Sequence, residues 1–197
     1  MDADRKSSWG DRFRVFFGDL SQAMKRFIFS FVAPFGLLYC FCGTEAQPET
    51  TYIFQHEVAD SILVVKSERK LYLMNQGQVL REFDVALGLM PKGPKRQEGD
   101  FRTPEGLYSL EVKNQESDYF LSIKISYPNQ EDRIRATNMG VDPGGQIMIH
   151  GQPNKPRHEE SHYLEQDWTD GCIAVSNSDM VDIWLMTREA TPIEIRP

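Results

Sequence analysis

Thr169-Asp170-Gly171-Cys172-Ile173-Ala174-Val175 places a glycine directly before a cysteine and a short apolar run directly after it. Glycine reaches backbone angles closed to other residues, so Gly171 suits a tight turn that presents the next side chain. Cys172 to Val175 reads as the start of a buried strand. A cysteine at such a junction has a rigid base and an open front, the placement that a nucleophile needs.

Outward from that stretch, the chain has 197 residues, enough for one domain with a sizeable core and an appendage. A net charge of −7 gives a nucleic-acid partner no electrostatic support. Residues 1–46 stand apart from the fold. Arg5, Lys6, Arg12, Arg14, Lys25 and Arg26 precede an apolar run from Phe27 to Cys42, which at 16 residues is short for a membrane span. Thr44 and Ala46 put small residues three and one before Gln47, as at a signal-peptidase site. The expectation is a secretory signal over 1–46, with a membrane anchor through 27–42 as the alternative, a linker over 47–57 and one folded domain over 58–197. If the signal leaves, Cys40 and Cys42 leave with it. Cys172 is then the one thiol remaining, a candidate for reactivity rather than for an internal disulfide.

The domain itself reads as mainly β. Runs at 61–66, 70–74 and 79–87 form a meander around the turn Asn75-Gln76-Gly77-Gln78. Residues 88–104 carry Pro91, Gly93, Pro94, Gly99 and Pro104 and are too long for a simple hairpin, which points to a functional loop. Alternating strands are expected at 107–112 and 119–125, a loop-rich stretch at 127–145, and a short buried strand at 146–149 that ends in His150-Gly151. Ser176, Asn177 and Ser178 offer helix caps, and Met180, Ile183, Trp184 and Thr187 follow at helical spacing. One C-terminal helix over 178–188 and a closing strand at 192–195 complete the pattern.

Cysteine chemistry requires a thiolate, and a neighbouring histidine is the usual means of making one. Among His56, His150, His158 and His162, His150 ends a buried strand just as Cys172 begins one. Two such strand ends on one sheet edge would make a nucleophile–base pair. The plainer reading of His150 is a hydrogen-bonded strand terminus. Backbone N–H groups around Gly171-Cys172 offer an oxyanion hole. A competing constellation, His158-Glu159-Glu160-Ser161-His162, matches the H-E-x-x-H signature of zinc hydrolases. Pro153 and Pro156 precede it and no apolar stripe would bury such a helix, so a charged, solvated loop is the favoured reading.

Three ordered motifs then carry a resemblance. Residues 59–196 resemble the L,D-transpeptidase catalytic domain, the YkuD-type family. Gly99-Asp100-Phe101-Arg102-Thr103-Pro104-Glu105-Gly106 is similar to its G-D-x-x-T-P-x-G stretch, His150-Gly151 to its H-G pair, and Thr169-Asp170-Gly171-Cys172-Ile173 to its [S/T]-x-G-C-[I/V] signature. The resemblance implies a β-rich sandwich or barrel and a cysteine peptidyl-transferase of the bacterial envelope, periplasmic, acting in cell-wall crosslinking and cell shape. Cys172 would attack the carbonyl of the third residue of a peptidoglycan stem peptide and expel the terminal D-alanine. His150 would take the thiol proton, and a second stem's amine would resolve the thioester; related members use a lipoprotein lysine, or water. Thr169, Asp170 and Gly171 would shape the nucleophile turn, and Gly151, Tyr127 and Trp168 would touch substrate. No metal or organic cofactor is implied.

Two positions depart from the family pattern. Asp170 stands where the family often has His, and Ala174 where it has Arg or Asn. The second change removes a contact to a substrate carboxylate, and the first puts an acid beside the thiol, which disfavours the thiolate. The interval between His150 and Cys172 is slightly long and leaves 152–166 as a lid. These departures keep two alternatives open: a carboxypeptidase or amidase of the same fold, and a catalytically silent wall-binding module.

Overall fold

Alternating apolar residues between Ser61 and Asp84 produce the first three strands, each with one face turned into the core. A computed structural model describes residues 57–197; the signal or anchor expected over 1–46, with Cys40, Cys42 and His56, lies outside those residues. Strands β1 (Ser61–Val65), β2 (Lys70–Asn75) and β3 (Gln78–Asp84) form the antiparallel meander. Strands β4 (Gly106–Ser117) and β5 (Phe120–Ile125) make the next hairpin. Three short strands follow, β6 (Met148–His150), β7 (Ile173–Ala174) and β8 (Pro192–Arg196).

All eight belong to one sheet, in the order β3-β2-β1-β8-β4-β5-β6-β7. The last strand in sequence therefore sits in the middle, parallel to β1 and antiparallel to β4. The two ends of that order meet. Ala86, just past β3, exchanges both backbone hydrogen bonds with Ala174 of β7, each 2.8 Å. This closure gives the sheet a barrel-like curl, and it happens two residues from Cys172. The interior holds Ile62, Leu71, Leu73, Leu110, Ile123, Ile149, Ile173 and Ile193, each at 2% exposure or less. No helix among the described residues is long and apolar enough to cross a membrane.

The helix content corrects the sequence expectation. The anticipated C-terminal helix is present as α3 (Asn177–Met186), capped by Ser176, whose Oγ accepts from the Asp179 amide at 3.1 Å. Met180, Ile183 and Met186 are its buried face. Two further helices, α1 (Gln130–Met139) and α2 (Glu160–Glu165), occupy stretches expected to be loops. Helix α1 buries only Asp132 and Ala136, so it has no apolar stripe to betray it. It is held by a reciprocal capping box between Asn129 and Asp132 and ends at Gly140 in the left-handed region.

Candidate active site

Two adjacent parallel strands place the cysteine and the histidine together. Ile149 pairs with Ile173 and His150 with Ala174, so His150 and the residue two before Ala174 face the same side. Both Cys172 and His150 line a cavity of about 660 Å³, with Lys95, Tyr119, Ser122, Trp168 and Asp170. Cys172 is a free thiol, partly exposed. Its Sγ–H points toward the Gln146 carbonyl at 3.6 Å.

The turn before the cysteine is fixed by sequence chemistry. Gly171 has φ +130°, and a Cβ there would lie 2.6 Å from the Arg102 carbonyl oxygen. Both facts exclude any residue with a side chain unless the backbone moves. The Thr169 hydroxyl staples the turn from within: it accepts from the Gly171 amide at 3.1 Å and donates to the Cys172 carbonyl at 2.7 Å. The Gly171 N–H is thus committed, which removes it from the oxyanion donors expected of this turn. Asp167 anchors the approach. Its carboxylate accepts from the Leu87 amide at 2.9 Å and pairs with Arg69 Nη2 at 2.7 Å.

His150 is 4% exposed. Burial holds its imidazole down at about 4, so the ring is neutral at pH 7. Its Nδ1 lies 2.7 Å from the Gly151 carbonyl, and a carbonyl only accepts, so Nδ1 carries the proton. The lone pair then sits on Nε2, the tautomer a general base requires. Tyr119 and Trp168 pack around the ring, with centroids 4.6 and 5.6 Å away. Burial also pushes the Cys172 thiol up; the Met148 amide opposes this, the Asp170 charge adds to it and the Lys95 charge opposes it. The resting pair is therefore thiol and imidazole, not thiolate and imidazolium.

The loop between Gly88 and Pro104 is fastened by two buried lysines. Lys66 Nζ donates to the carbonyls of Gly93 and Thr103, both at 2.8 Å, and pairs with Glu105 at 2.9 Å. Lys95 Nζ pairs with Asp100 at 2.8 Å, and Asp100 also accepts from the Arg96 and Arg102 amides at 2.7 and 3.1 Å. The aspartate of the Gly99-Asp100 motif is thus a loop organiser.

The remaining expected site residues divide. Trp168 and Asp170 are in the cavity wall. Gly151 lies behind the histidine and fixes its tautomer through its carbonyl. Tyr127 is elsewhere: it is 3% exposed, donates to the Pro143 carbonyl at 2.8 Å and packs edge-on against Tyr108. Ala174 is 2% exposed, closed in by its pairing with Ala86. The zinc motif does not form the helix it needs. Glu159 is the extended N-cap of the six-residue α2, so His158 lies outside the helix that carries His162. Among the described residues, no cluster of three or more His, Cys, Asp or Glu has metal-binding geometry. The sequence reading missed Lys95, Tyr119 and Ser122. Lys95 stands five residues before the Asp100 of the quoted motif, an opposite charge within reach and a usable signal for the first; Tyr119 and Ser122 are brought there by chain pairing alone.

Residues 59–195 match the L,D-transpeptidase catalytic domain model (YkuD), and the chain belongs to that family. YafK of Escherichia coli K12, named as an L,D-transpeptidase, is 36% identical over 97 residues, which is 46% of this chain and 37% of YafK. Among solved structures, the helical cell shape determining protein Pgp2 from Campylobacter jejuni superposes with a TM-score of 0.53 at 28% identity, over 68% of this chain and 46% of Pgp2. This chain spans less than half the length of each.

Proposed function

We propose that the protein is an L,D-transpeptidase working through a thioester on Cys172, with peptidoglycan stem peptides as substrate. The observation that carries this reading is the shared cavity, in which Cys172 and a neutral His150 lie on neighbouring parallel strands. Cys172 Sγ attacks the carbonyl of the third stem residue while His150 Nε2 takes the thiol proton. The developing oxyanion is held by the Cys172 amide, since the Gly171 amide is bonded to Thr169. The imidazolium protonates the leaving D-alanine amine. A second stem's amine then attacks the thioester and completes a crosslink. If water replaces that amine, the same site is an L,D-carboxypeptidase. Export by residues 1–46 would put the enzyme in the bacterial envelope, facing the wall on its periplasmic side.

Mass spectrometry of products from a disaccharide-tetrapeptide tests the reading. Dimers indicate transfer and tripeptides indicate hydrolysis. Cys172→Ala should abolish both; D-alanine release surviving that change would overturn the nucleophile assignment, and with it the thioester.

A further inference from the structure

Ser122 is 1% exposed, and its Oγ is out of contact with bulk water with no hydrogen-bond partner among the described residues. Buried hydroxyls are almost always paired, so an orphan calls for a cause. Its place in the sheet supplies one. Ser122 on β5 is directly opposite His150 on β6, and His150 in turn neighbours the Cys172 strand. Residues opposite each other in an antiparallel pair put their Cβ atoms about 4.5–5.5 Å apart on the same face. Ser122 and Cys172 therefore flank His150 on its two sides, and all three line one cavity.

The usual third member of such a group orients the base through its other ring nitrogen. Here that task belongs to the Gly151 carbonyl, which holds Nδ1. The serine is left without a role in orienting the base. The acylation half of the reaction has its proton donor, the thiol, on the cysteine side. The deacylation half needs a second nucleophile near Nε2, and that nucleophile has two hydrogens whether it is water or a primary amine.

We propose that Ser122 is the positioning residue for deacylation, seating the incoming nucleophile between its Oγ and His150 Nε2. The assignment rests on the thioester reading above. In the step itself, the lone pair of the nucleophile attacks the thioester carbonyl and the carbon–sulfur bond breaks. One hydrogen passes to His150 Nε2 and from there to the departing Cys172 sulfur. The other stays on the nucleophile, held by Ser122 Oγ. That bond orients the lone pair, and misplacement of a reacting group by about 1 Å costs on the order of 100-fold.

The full chain and a disaccharide-tetrapeptide provide the test. Release of the first equivalent of D-alanine reads acylation, and intact mass reads the thioester on Cys172. Ser122→Ala should release that first equivalent at the wild-type rate, accumulate the thioester, and turn over at least about tenfold more slowly. Thermal unfolding should show no loss of stability, because the change removes an unpaired group. Ser122→Thr, which keeps a hydroxyl, should deacylate faster than Ser122→Val of the same shape. Tripeptide and dimer yields separate the two sources: a selective fall in tripeptide marks water as the seated nucleophile, and a selective fall in dimer marks the amine. Unchanged deacylation in Ser122→Ala, an equal slowing of both halves, or indistinguishable Thr and Val variants would overturn the assignment. A wild-type protein that never forms a Cys172 adduct would instead overturn the thioester.

Discussion

The two ends of the strand order are built on different principles. At one end, β1 to β3 are five to seven residues long and joined by short turns. Their buried members are apolar: Ile62, Val64, Leu71, Leu73 and Phe83. At the other end, β6 has three residues and β7 has two, and each is reached by a long connection. Buried polar groups gather there: His150, Ser122 and Thr169, with Lys95 from the adjoining loop. Burying a polar group costs free energy unless it is hydrogen-bonded. One end therefore supplies stability, and the other uses that stability to hold groups in place for chemistry.

Variants at the two ends should separate along that line, beginning with the largest effect. Gly171→Ala forces a side chain into a φ of +130° and against the Arg102 carbonyl. The nucleophile turn should shift, and D-alanine release should fall by about 100-fold or more, while circular dichroism shows the sheet retained. Release within twofold of wild type would mean that the turn is not what aims the thiol. Leu71→Ala, in a fully buried meander position, should do the reverse. Denaturant unfolding should show a loss of about 3–5 kcal/mol, with turnover per folded molecule unchanged. A fall in turnover there would show that the two ends are coupled.

The effect that is smallest near neutral pH is the one carried by His150, because it develops only as the solution is acidified. His150 has its folded pKa depressed to about 4, against an ordinary histidine in the unfolded chain near 6.5. Above pH 6.5 both states are neutral and the contribution to stability is complete. As pH falls from 6.5 to 4, the unfolded chain takes up a proton that the folded protein refuses, so stability drops. The loss is about 3 kcal/mol at most, read as the difference between wild type and His150→Gln across that window. The acidic limb of kcat/KM should lie near pH 4 rather than 6.5. A limb at 6.5 would mean that the histidine is solvated in the free enzyme.

Much of this protein could be read in its residues. Alternation in 61–84 gave the meander, and Gly171-Cys172 and His150-Gly151 marked two strand ends, because a period of two and a glycine beside a chemically reactive residue are local signals. Helix α1 left no trace in hydrophobic pattern, since its stability comes from caps rather than from a buried stripe. Tyr127, expected at the substrate, is a core residue, because an aromatic beside a loop has the same local signature in both roles.

The sequence by itself determined the chemistry available: a glycine only the turn could use, a thiol after it, a histidine at a strand end. Only the tertiary structure decided how that chemistry is wired. The β5-β6-β7 order, set by long-range pairing, puts Ser122, His150 and Cys172 on one face. It leaves the Ser122 hydroxyl unpaired beside the other two, whereas the Gly171 amide and His150 Nδ1 find their partners within two residues along the chain. Local spacing carries no information about which strands become neighbours, because that is fixed by burial of the whole sheet at once.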